Sequence, residues 1–121
     1  KELLSKPHPT TEEQIKSAET SLDTTFSEDF RKYLKAYGTI AYFGHELVGI
    51  SDIEYLNVVN ATFEERDFAD NIPNDYYVIE RPNFDGIVIW QTSTGEIYRT
   101  APNTEPKKIC DSLSEYIEME E

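Results

Sequence analysis

The sequence predicts an α+β fold: one domain over residues 1–121, with a largely antiparallel sheet and three to four helices packed against one side. Three observations carry this. Apolar residues recur at helical spacing behind capping signals near both ends of the chain. The middle alternates instead with the period of strands, broken by short Asp-Gly and Thr-Gly turns. Short turns join antiparallel neighbours, whereas parallel strands need long crossovers. At 121 residues and 14.0 kDa the chain is long enough for one core without staples.

The elements follow in order. Thr10 with Glu13 reads as a capping box, and Ile15, Ala18 and Leu22 give the first helix, about 10–22, one apolar stripe. Ser27 caps a second helix with Glu28 and Asp29 in its first turn. Phe30, Tyr33, Leu34 and Tyr37 form its apolar face, and Gly38 ends it. Residues 39–43 and 46–50 read as a hairpin around Gly44-His45. Residues 51–57 carry no clear period. Val58, Val59, Thr62, Phe63 and Phe68 predict a third helix with Glu64, Glu65, Arg66 and Asp67 on its wet side, followed by a loop from Asn71 to Asp75. Strands are expected at 76–80, 86–91 and 96–100, the middle one central because residues 87–90 are all apolar. Lys107–Cys110 is a brief pairing segment. Ser112 and Glu115 form a second capping box, opening a last helix on Leu113, Tyr116 and Ile117.

Charge constrains function more than any motif. The formal net charge is −13, on a chain that is 12% aromatic. Disordered acidic chains have few aromatic residues, so this charge sits on a folded surface. Solubility alone needs a magnitude of only about 2–8 in a small domain. The excess points to a positively charged partner. It opposes direct binding to nucleic acid or an anionic membrane, which require Lys/Arg patches. From Glu64 to Asp85 there are seven acids against two bases. Glu64, Glu65, Asp67, Asp70, Asp75, Glu80 and Asp85, with the neighbouring Tyr76, are therefore the expected partner-binding face, since exposed tyrosines beside carboxylates suit protein contact.

Catalytic chemistry finds little footing. A Cys–His pair would need Cys110 with His8 or His45; the first His lies between prolines and the second in a turn, and Cys110 reads as a small packed thiol. No Cys/His set has zinc spacing, and Asp67, Asp70 and Asp75 lack the calcium-loop pattern. The glycines are scattered rather than gathered into a phosphate loop. The expectation is no catalytic residue, no metal and no cofactor. No apolar run approaches the ~18 residues of a membrane span, no signal-peptide pattern opens the chain, and the lone cysteine suits a reducing compartment. The expectation is a cytoplasmic protein, monomeric in the simplest case.

The order of these signals resembles the SMI1/KNR4 (SUKH) superfamily over about residues 10–118, and in particular its small bacterial immunity proteins. The resemblance lies in the capped first helix, Phe26-Ser27-Glu28-Asp29-Phe30 through Tyr37-Gly38, Gly44-His45-Glu46-Leu47-Val48-Gly49-Ile50, and Val58-Val59-Asn60-Ala61-Thr62. Tyr77-Val78-Ile79-Glu80, Asp85-Gly86, Gly95-Glu96-Ile97-Tyr98 and Asp111 to Ile117 complete it. Phe26-Ser27 stands where the family usually has Leu-Pro, and Tyr37-Gly38 where it has Asn-Gly; both keep the local physics. The resemblance implies an α+β fold without enzymatic activity. It implies an immunity protein (antitoxin) that binds and blocks a cognate toxin, often a basic nuclease, or alternatively a regulatory scaffold binding another cellular protein. The family's contact residues vary with the partner, so none is carried over.

Overall fold

The computed structural model describes residues 3, 6–42, 44–69 and 72–119. Six strands form one sheet in chain order, each antiparallel to the next: β1 (Ile40–Tyr42), β2 (His45–Leu47), β3 (Tyr77–Glu80), β4 (Val88–Gln91), β5 (Ile97–Thr100) and β6 (Lys107–Cys110). Helices α1 (Glu12–Leu22) and α2 (Glu28–Tyr37) precede the sheet, α3 (Val58–Phe68) interrupts it, and α4 (Leu113–Glu118) follows it. This is the expected α+β architecture. Every residue of β3 and β4 is buried, as an apolar central run requires. Phe43 and Asn71, at the ends of two expected segments, lie outside the described residues, as do Glu120 and Glu121.

Caps fix the helix starts. Ser27 Oγ accepts from Phe30 N at the start of α2. Asn57 Oδ1 accepts from Val59 N and Asn60 N at the start of α3. At α1 the capping box is Thr11 with Gln14, one residue beyond the expected Thr10 with Glu13. Thr10 is unavailable because its N–H donates to Leu34 O at 2.9 Å, tying it to α2. At α4, Ser112 Oγ accepts from Glu115 N at 3.1 Å, but the Glu115 carboxylate reaches one residue further back, to Asp111 N. The unassigned stretch 51–57 holds a short 3-10 turn, Glu54–Leu56.

One sheet face meets the helices through aromatic rings. Tyr77 packs edge-on to Phe26 at 4.8 Å and lies 5.0 Å from Phe30. On the opposite face Trp90 is fully buried beside Tyr76, which stacks near Tyr98, and its Nε1 donates to Thr100 Oγ1. Two glycines, far apart in sequence, touch where α2 turns into β1. A Cβ on Gly49 would stand 1.7 Å from Gly38 O, while Gly38 itself takes φ 76, a conformation that glycine adopts without penalty.

Buried polar groups at the junction of α2, β3, β4 and α4 form a network. The Tyr77 hydroxyl accepts from Ser27 N at 3.0 Å and reaches Gln91 Oε1 at 3.0 Å. Gln91 Nε2 donates to Asp29 Oδ1, and Asp29 Oδ2 accepts from Leu113 N at 2.6 Å. Burial pushes the Tyr77 phenol well above the ordinary tyrosine range, so it stays a neutral donor.

Two predictions follow from this packing. Tyr77→Phe keeps the ring contacts but leaves Ser27 N without its acceptor. It should cost about 1–3 kcal/mol in denaturant unfolding; an unchanged midpoint would show that the hydroxyl is not structural. Separately, hydrogen bonds from Thr92 and Thr94 draw the Glu96 carboxyl down to about 2 from an ordinary 4.5. A depressed folded-state pKa means stability that is present above 4.5 and lost as pH falls towards 2. The melting temperature of Glu96→Gln should therefore lie below that of the parent at pH 7, with the gap narrowing through that window.

Candidate functional site

The acids of residues 64–85 divide according to the element that carries them. Helix α3 buries Val58, Ala61 and Thr62, and Thr62 Oγ1 accepts from Val78 N at 3.0 Å, which docks the helix on β3. The buried stripe turns Phe63 and Asp67 outward, with Glu64 on their flank. Phe68, seven residues after buried Ala61, shares the stripe's phase but is the last residue of the helix and stands exposed there. Phe63 is 47% exposed and Phe68 87%. Both were expected on the apolar face, and the structure corrects this. Phe63 with Asp67, and Glu64 with Phe68, are spaced i, i+4, so each exposed phenylalanine has an acidic neighbour on the helix surface.

Arg81 joins this surface to the rest. Its Nη1 donates to Glu64 Oε1 at 2.8 Å and Glu65 Oε2 at 3.2 Å, and its Nη2 to Tyr55 O at 2.6 Å. The guanidinium lies 4.1 Å from the centre of the Tyr55 ring, a cation–π contact. Tyr55 in turn hydrogen-bonds Asn83 through its hydroxyl. Asn83 opens the loop carrying Phe84, 58% exposed, and the exposed Asp85. Asn83 and Asp85 both adopt positive φ there, which Asn and Asp tolerate better than most residues. The chain of contacts thus runs from α3 through Arg81 and Tyr55 to the β3–β4 loop. Arg66 works on the other side of α3, where its Nη2 donates to Asn74 O and Tyr76 O.

Other expected members lie elsewhere. Asp75 is half-buried and accepts from Ser93 Oγ at 3.2 Å. Tyr76 is buried in the aromatic cluster with Trp90 and Tyr98, not on a contact surface; burial pushes its phenol up to about 12. Glu80 is only 3% exposed. Its carboxylate oxygens lie 3.0 Å from His45 Nδ1, one accepts from Tyr116 Oη, and another bond comes from Glu46 N. A register shift between Val78 and Glu80 marks a bulge, the kind of irregularity that redirects a side chain. Glu80 is thus a structural carboxylate. Asp70 lies outside the described residues.

The nucleophile candidate is equally plain. The Cys110 thiol points to Ser112 O at 3.5 Å, and burial raises its pKa, the opposite of what activates a cysteine. Among the described residues no group of three or more His, Cys, Asp or Glu could hold a metal ion, and no helix is long and apolar enough to cross a membrane.

Fold and surface together define a small α+β domain that presents an acidic, aromatic face. The chain belongs to the SMI1/KNR4 (SUKH) family: the SUKH_5 family model, SMI1-KNR4 cell-wall, matches residues 1–120. A search of curated proteins finds no match.

The clamp can be tested directly. Arg81→Lys keeps the charge but loses the planar fork that spans two carboxylates and a ring. It should cost about 1 kcal/mol in denaturant unfolding; an unchanged stability would mean that the Arg81 bridge contributes nothing.

Proposed function

We propose that this chain is a non-enzymatic immunity protein that neutralises a cognate toxin by covering a basic surface of it. The observation that carries this reading is the outward face of α3, where Glu64 and Asp67 flank exposed phenylalanines on a chain of net charge −13. A toxin that handles nucleic acid must be basic to hold phosphates. An acidic cover competes with that nucleic acid and is steered to its target by long-range attraction. Membership of the SMI1/KNR4 family agrees with a protein-binding role. Glu64, Glu65, Asp67, Asp70 and Asp85 are the acids of this reading, Asp75 a peripheral one, and the working compartment is the cytoplasm of the cell that needs protection. An interface of roughly 1,600 Å² in total suffices for stable 1:1 binding.

Co-expression tests it: growth of cells producing a candidate toxin should be rescued by this chain. If no toxin is neutralised, the scaffold reading of the same fold takes its place. With the toxin in hand, Glu64→Lys/Asp67→Lys should slow association about tenfold at low salt, with a smaller effect at physiological salt. Association rates that ignore both charge and salt would remove the steering argument.

A further inference from the structure

We infer that the exposed phenylalanines of α3 and the β3–β4 loop, Phe63, Phe68 and Phe84, are the anchors that enter apolar recesses on a basic protein partner. The inference rests on the binding reading above and adds to it which residues supply the affinity.

Single apolar side chains on a surface are ordinary, but large exposed aromatic ones standing beside carboxylates suit protein contact. Here three phenylalanines are between 47% and 87% exposed, although the core has taken Phe26 and Phe30 completely. The phase of α3 is set by buried Val58, Ala61 and Thr62, and Thr62 locks it by its bond to Val78 N. Phe63 therefore cannot rotate inward without unseating the helix, and Phe68 stands exposed as the helix's last residue. Carboxylates stand beside them on the same helix: Glu64 is i−4 to Phe68, and Asp67 is i+4 to Phe63. Among the described residues the bases of the segment pair with this rim only at Glu64 and Glu65. Arg66 spends its guanidinium on backbone carbonyls, and Arg81, whose side chain is 8% exposed, lies beneath Glu64 and Glu65.

Charge complementarity selects the occupant. Acidic side chains around apolar anchors match a surface whose apolar recesses are ringed by Lys and Arg. A second copy of this chain would bring its own acids against them, opposed by a charge of −13 on each partner. Anchors supply affinity and the charged rim supplies rate and selectivity.

Two probes test this: a synthetic amphipathic peptide of Lys and Leu, and oligolysine of equal charge, each titrated into isotope-labelled protein by NMR. The Lys/Leu peptide should shift the amides of Phe63, Glu64, Asp67, Phe68 and Phe84, and Phe63→Ser/Phe68→Ser should weaken its Kd about tenfold. Both side chains are exposed, so the fold should survive, which the unperturbed amides report. Oligolysine should bind parent and variant alike. Shifts centred elsewhere, or a variant that binds the Lys/Leu peptide as tightly as the parent, would overturn the inference. So would self-association that the double variant abolishes, because the occupant would then be a second copy. The rescue assay separates the two readings. A double variant that still rescues fully overturns the anchors and leaves the immunity reading standing. A parent chain that rescues against no toxin defeats the immunity reading, and the titration then decides the anchors alone.

Discussion

The Asp29 carboxylate is the point on which the fold turns. One of its oxygens meets Gln91 Nε2 and the Ser27 hydroxyl, and the other accepts from Leu113 N. It therefore ties the first turn of α2 to the central strand β4 and to the first turn of α4. Both helix N-termini present positive dipole ends, so a single negative charge serves two of them. The Tyr77 hydroxyl extends the network to β3 and Thr92 O. Remove the carboxylate and α4, which is too short to hold itself together, loses the bond that fixes its first turn and keeps Tyr116's bond to Glu80 and the burial of Leu113 and Tyr116.

What could be read from the chain was local. Ser27, Gly38 and Ser112 mark their boundaries through backbone groups within a few residues, and the strands from β3 to β5 follow from apolar runs punctuated by Asp85-Gly86 and Thr94-Gly95. Nonlocal geometry was not legible in the same way. The shift from Thr10 to Thr11 depends on a bond to Leu34 O, far along the chain. The contact between Gly38 and Gly49 depends on two backbones meeting, so the glycines looked scattered.

The candidate site shows the same division. Its charge and place along the chain were legible, because carboxylates are counted in sequence. Its aromatic half was not, because Phe63 and Phe68 had been grouped with the buried side. For Phe63 the signal was present: Val58, Ala61, Thr62 and Glu65 repeat at i, i+3, i+4 and i+7, and extending that stripe puts Phe63 on the far side, whereas Phe68, seven residues after Ala61, falls on the stripe and is exposed at the end of the helix. Hydrophobicity of the residue type outweighed phase. Glu80 failed for the opposite reason. Strand alternation says nothing of a bulge, and the partners that make its burial tolerable come from β2 and α4.

The arginines explain how an acidic face coexists with a stable helix beneath it. A helix bearing Glu64, Glu65 and Asp67 within one turn repels itself. Neutralising these acids with surface lysines would relieve the repulsion and erase the negative field. The structure instead places Arg81 under the helix, where it satisfies Glu64 and Glu65 from the inner side and stacks on Tyr55. Arg66 supports the opposite flank through carbonyls, and among the described residues it pairs with no acid. Asp67 and the outer edges of both glutamates are left facing solvent beside Phe63 and Phe68. Stability is supplied from within and the charge is kept outside, which is what the proposed cationic partner would require of this surface.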